Sequence, residues 1–148
     1  MLLFIGDLIG RFHPVLVHLP IGILLLAVLL YFISQKEKYR AVAPAVSIAL
    51  FWGMCSAIAS AISGYLLSAS KAYDEPLVTR HLWLGIITAG VSVLAWILYK
   101  RNFPHIKWLL VAMTALILIT GHLGGSLTHG EDYLTNFFAT SEENSKEA

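Results

Sequence analysis

Histidine offers the most chemistry in this 148-residue chain. Five of its six histidines, His13, His18, His81, His122 and His129, lie near those ends of the apolar runs that folding would gather on one side of a membrane. An imidazole near lipid is costly unless it binds or relays something. His18, His81 and His122 each fall three or four residues inside the expected boundary of their run, about 5 to 6 Å of helix rise. Three imidazoles from three helices therefore share a layer, with His13 and His129 at the rim above it. Two neutral imidazoles on facing helices are enough to ligate a haem iron axially. Such ligation leaves no open coordination position, so it suits electron transfer better than oxygen chemistry. His18, His81 and His122 together would equally hold zinc with a water as fourth ligand, whereas no Met or Cys cluster favours a cuprous site. Arg11, Lys71 and Arg80 belong to the same face and are candidates to pair with haem propionates, although any interfacial loop carries such cations. Glu131 and Asp132, beside His129, read more simply as solvated charges after a helix end.

The elements that must position these residues are apolar. Hydrophobic residues make up 57% of the chain and charged residues 13%, and the mean hydropathy is +0.74. A water-soluble domain of this size has no core large enough to hide so much apolar surface, so the chain is an integral membrane protein. The net charge of +1 gives no footprint for nucleic acid. Cys55 is the single cysteine, which leaves no internal disulfide and no thiolate metal motif. Crossing a hydrocarbon layer of roughly 30 Å takes about 20 apolar residues, and the runs 14–34, 42–67, 77–99 and 106–125 qualify. Short connections force neighbours to run antiparallel. The expected fold is all-α, an up-and-down four-helix transmembrane bundle over residues 1–135, followed by a flexible polar tail over 136–148. The opening MLLFIGDLIGRF lacks a basic leader region and a small-residue cleavage site, and reads as an apolar lead-in at the interface.

Loop charge predicts orientation. Lys36, Lys38 and Arg40 follow the first run, and Lys100, Arg101 and Lys107 surround the third connection; the remaining loop offsets Lys71 and Arg80 with Asp74 and Glu75. The positive-inside rule then places both termini and the five histidines outside, leaving His105 alone on the cytoplasmic side.

Spacing supplies inward faces. His81, Gly85, Thr88 and Ser92 share one stripe, as do His122, Gly125, Ser126 and His129; Ser56, Ser60 and Gly64 recur every four residues, and Gly22 lies one turn below His18. Such stripes pack helices closely in most membrane proteins and also leave room for a flat ligand. Pro14 suits a first helical turn. Pro20 is expected to bend the helix and aim His18 inward. Trp83, Trp108, Tyr73 and Tyr133 fit interfacial aromatic belts.

Two segments, HPVLVHLPIG at 13–22 and GHLGGSLTHGEDYLT at 121–135, resemble the bacterial membrane family called domain of unknown function 2231. Its members open with HP-x-x-V-H-x-PI and close with GG-x-L-x-x-HG. The closing segment is similar to versions found beside c-type cytochrome domains. The resemblance places the family's histidines on His13, His18 and His129, with His81 in RHLWLGI as a fourth; His122 matches only the cytochrome-associated form. No C-x-x-C-H motif is present, so a c-type haem would belong to a partner.

The leading expectation is a multi-pass inner-membrane protein, b-type cytochrome-like, with one or two haem b groups near the outer face, ligated from among His13, His18, His81, His122 and His129 with Arg11 and Arg80 alongside. It would pass electrons between a quinone-linked complex and a periplasmic c-type cytochrome. The alternatives are a non-catalytic membrane anchor or assembly subunit with no cofactor, and a zinc-type site at His18, His81 and His122. No nucleophile, nucleotide loop or proteolytic motif is legible, and no enzyme class is assigned.

Overall fold

A computed structural model describes residues 2–70, 76–130, 132 and 133. The chain forms α1 (Leu2–Arg11), α2 (His13–Leu16), α3 (His18–Ser34), a 3-10 turn (Glu37–Val42), α4 (Ala43–Ser70), α5 (Pro76–Lys100) and α6 (Ile106–His129), with no strand among the described residues. Four stretches are long and apolar enough to cross a membrane: His13–Ser34, Glu37–Ala69, Pro76–Lys100 and Ile106–His129. They pack consecutively, α3 on α4, α4 on α5 and α5 on α6, and α3 also meets α6 to close an up-and-down bundle. The stretch 136–148, expected to be a polar tail, and the residues Lys71, Tyr73, Asp74, Glu75 and Glu131 lie outside the described residues.

Burial follows helical period. On α3, Leu24, Ala27, Val28, Tyr31 and Ser34 form the inward face, while Leu26 and Leu29 point out. The outward residues are as apolar as the inward ones, which is how a helix with lipid on its far side is built.

The core is not uniform along its length. Leu24, Ala27, Val46, Leu50, Leu110 and Met113 have no exposed surface and fill the region away from the histidines. Toward the histidine end the buried residues become small and hydroxylated: Ser60, Ser63, Thr88 and Ser126. Their hydroxyls bond mostly to carbonyls one turn back, for example Ser63 Oγ to Ser60 O at 2.9 Å and Thr88 Oγ1 to Leu84 O at 2.7 Å, which satisfies them without water.

Local chemistry fixes the ends. After α5, Asn102 adopts a left-handed backbone at φ 52°. Its N–H reaches Tyr99 O at 3.0 Å, while Phe103 N–H reaches Leu98 O at 3.0 Å. This pair of bonds closes a helix C-terminus, and Pro104 two residues on prevents its continuation. At the other end, α4 spans 28 residues, about 42 Å of rise against a hydrocarbon layer of about 30 Å. Its C-terminal part carries α1 as a companion. The two touch at Gly10, where an added Cβ would come within 2.8 Å of the Leu67 backbone nitrogen.

Pro20 is buried in the first turn of α3, and Val17 before it keeps a helical backbone at φ -62° and ψ -26°, so α2 and α3 run on as one span. The lead-in expected at the interface is α1, and along the span His13 is half-buried while His18 is exposed.

Candidate functional site: a histidine pair at one end of the bundle

His13 comes from α2 and His81 from the second turn of α5. Their ring centroids are 6.1 Å apart and their planes are inclined at 76°. Both residues are half-buried.

Each ring is held from behind. His13 Nδ1 lies 3.0 Å from Ser60 O and 3.3 Å from Ser63 Oγ. His81 Nδ1 lies 3.1 Å from Thr120 O. A carbonyl oxygen only accepts, so Nδ1 must donate in both rings. In the neutral imidazole this leaves Nε2 as a bare lone pair. A ligating histidine is commonly fixed in this way, its second nitrogen donating to a backbone carbonyl. The hydroxyl of Thr120 stands 3.3 Å from that of Thr88, tying α5 to α6 one layer further in.

Two glycines make room for the rings. A Cβ on Gly64 of α4 would lie 2.8 Å from His13 Cε1, and one on Gly124 of α6 would lie 3.1 Å from His81 Cε1. Both distances are tighter than ordinary van der Waals contact, so any side chain there forces the ring to move. In contrast, Gly22, Gly85 and Gly121 have no atom within 4 Å of where a Cβ would stand.

His122 and His129 form a separate group. Tyr133 stacks on His122 with centroids 5.9 Å apart and planes at 30°, and meets His129 at 5.7 Å and 36°. Its hydroxyl occupies the space over Gly125, where a Cβ would be 2.7 Å from Oη. His129 Nδ1 is 2.7 Å from Thr128 Oγ1 and 3.3 Å from Gly125 O. Imidazole lone pairs lie in the ring plane, so rings stacked face to face on a phenol do not converge on one atom.

The expected layer of His18, His81 and His122 is therefore arranged differently. His18 and His122 are exposed, and among the described residues no group of three or more His, Cys, Asp or Glu is placed to hold a metal ion. The pair formed is His13 with His81. Arg11, Arg80 and Asp132 are exposed at the same end, and His105 packs edge-on against Phe103 at the other, 5.9 Å between centroids. Trp83 and Trp108 face outward as belt residues do. Tyr133 is in addition the partner of two histidines.

Sequence reasoning singled out Ser60 and Gly64 as a packing stripe without linking them to His13. It missed Ser63, Thr120 and Gly124 as supports. The signal for Gly124 was its place in the doubled glycine of GHLGGSLTHG.

Comparison with known proteins gives one relation. The model of a family described as a predicted membrane protein, domain of unknown function 2231 (DUF2231), matches residues 11–132, a stretch that includes all four spans and the histidine pair. No curated protein and no solved structure matches the chain.

Proposed function

The chain belongs to the DUF2231 family of membrane proteins, and we propose that it is a membrane electron carrier in which His13 and His81 would hold a haem b. The observation that carries this reading is the pair itself: two imidazoles from different helices, each with Nδ1 against a backbone carbonyl, an arrangement that leaves Nε2 as a lone pair when the ring is neutral. The donor count favours haem over zinc. A zinc site takes three or four protein ligands, whereas the porphyrin supplies four nitrogens and needs two from the protein. The ring separation of 6.1 Å is consistent with one shared atom, since two nitrogen–metal bonds of about 2.0 Å, extended to each ring centre, span roughly 6 Å.

A bound haem would supply a one-electron couple. The chain's own residues fix the ligand rings and set the polarity around them. Ser60 O, Ser63 Oγ and Thr120 O make the imidazoles stronger donors by accepting from Nδ1. The apolar half of the core, Leu24, Leu50, Leu110 and Met113, keeps water out beneath the site. Loop charge supports placing this end, with both termini, on the periplasmic side of an inner membrane, where a quinone-linked complex and a periplasmic c-type cytochrome would be the exchange partners.

A second reading rests on the same hydrogen bonds. His13 ties α2 to α4 and His81 ties α5 to α6, which is work that a non-catalytic anchor or assembly subunit would require of them. Oxidised and reduced visible spectra of the protein purified in detergent separate the two. A sharpened reduced band supports ligated haem, and a colourless protein from haem-replete cells overturns it.

A further inference from the structure

The histidine pair depends on two residues that carry no side chain. We propose that Gly64 and Gly124 are positioning residues of the site, their bare backbones setting where the rings of His13 and His81 stand and thereby the separation at which a shared ligand atom is gripped. This deepens the functional reading above and rests on it for the identity of the ligand, but not for the geometry.

The contacts are specific to the rings. All three of the nearest atoms around a Cβ at Gly64 belong to the His13 imidazole, at 2.8, 3.0 and 3.3 Å, and all three around Gly124 belong to His81, at 3.1, 3.6 and 3.8 Å. Neither glycine is contacted by the backbone of a neighbouring helix at this range, unlike Gly10, whose nearest atoms are the Leu67 backbone. Gly64 and Gly124 thus serve ring placement and not close helix approach. The two rings are also restrained from the same helices that present the glycines: Ser60 O on α4 holds His13 four residues before Gly64, and Thr120 O on α6 holds His81 four residues before Gly124. The two halves repeat one local device, a carbonyl at position i that takes Nδ1–H and a glycine at position i+4 that clears space for Cε1. Such repetition on two helices sets both rings by the same rule. A methyl group in either place stands at 2.8 Å from His13 Cε1 or 3.1 Å from His81 Cε1, so the ring must shift relative to the carbonyl that holds it.

The experiment uses the full chain in detergent or lipid nanodiscs with ring-15N histidine. Gly64→Ala and Gly124→Ala are compared with Gly22→Ala and Gly121→Ala, whose Cβ meets nothing within 4 Å. Helix content by circular dichroism confirms folding. The expected result is a displaced His13 signal in Gly64→Ala and a displaced His81 signal in Gly124→Ala, with haem retention lowered about ten- to hundredfold, as for loss of a ligand's supporting shell; both controls stay at wild type. Should Gly64→Ala not accumulate, Gly124→Ala carries the test alone. Unmoved ring signals in folded Gly124→Ala overturn the proposal. A wild-type protein without haem sinks the functional reading while leaving ring displacement to decide this one.

Discussion

His13 and His81 meet with ring centroids 6.1 Å apart, although two membrane-spanning helices, α3 and α4, separate them in sequence. They make no hydrogen bond to one another. Each is bonded to a different helix, so the pair is an outcome of packing at this end of the bundle.

Replacement of either member should therefore be far more damaging than replacement of His18. His13→Ala and His81→Ala are each expected to abolish the reduced haem band, whereas His18→Ala, altering an exposed side chain, should leave it at wild-type intensity. Difference spectra normalised to protein measure this. Retention of the band in His13→Ala with loss in His18→Ala would restore the ligand set first read from the sequence.

The α1–α4 contact predicts a local weakness. Gly10→Ala places a methyl group 2.8 Å from Leu67 N and 2.9 Å from its Cα, neither of which yields without moving a helix. Overpacking of this kind costs about 1–3 kcal/mol. Limited proteolysis should show faster cleavage near the N-terminus with the four spans intact. Equal rates for both proteins would refute the contact.

At the opposite end, Tyr99 Oη donates to Ala43 O at 2.9 Å, at the start of α4. Tyr99→Phe removes that donor and keeps the ring against Tyr31, whose centroid is 6.3 Å away. The expected loss is about 0.5–1.5 kcal/mol, with no change in the visible spectrum, because the histidine pair lies at the other end. Thermal unfolding in detergent measures the first and absorbance the second.

Tyr133 offers a separate test of the C-terminal stack. Tyr133→Phe keeps the ring between His122 and His129 and removes the hydroxyl over Gly125; Tyr133→Ala removes both. Aromatic pairs of this geometry contribute about 0.5–1.5 kcal/mol each. Ring signals of His122 and His129 should shift strongly in Tyr133→Ala and weakly in Tyr133→Phe. Identical shifts would show that the ring does not hold the stack.

Orientation is testable independently of any ligand. Cysteine placed at His129 should react with a membrane-impermeant maleimide in intact cells, and cysteine at Lys38 should react only after lysis. The reverse pattern would put the histidine pair on the cytoplasmic side.

The spans were legible because a run of apolar residues has one physical solution in lipid. The expected starts at 14, 77 and 106 lie within one residue of those of the observed spans, whereas the second span begins at Glu37 because a 3-10 turn leads into α4; the ends of α4 and α6 run past the apolar runs as ordinary helix. Facing was not legible. His13 and His18 are five residues apart, so a helix sets them about 140° apart around its axis, and hydropathy alone does not tell which of them faces the bundle. The supports Ser60, Ser63 and Thr120 were hidden for another reason: they act partly through backbone carbonyls, which every residue has. The partners of Tyr133 were hidden because an aromatic near an interface has an ordinary explanation, and only its place over Gly125 reveals them.

The division of the core into an apolar half and a half of glycine and hydroxyl residues gives the bundle a gradient of stiffness. Leu24, Leu50, Leu110 and Met113 clamp one extremity, while the opposite extremity has less dispersion energy to lose when it parts. The molecule is built like tweezers with a welded base. Amide exchange should begin at the tips that carry the imidazoles and reach the base last, so whatever enters between those tips does so without the fold having to come undone.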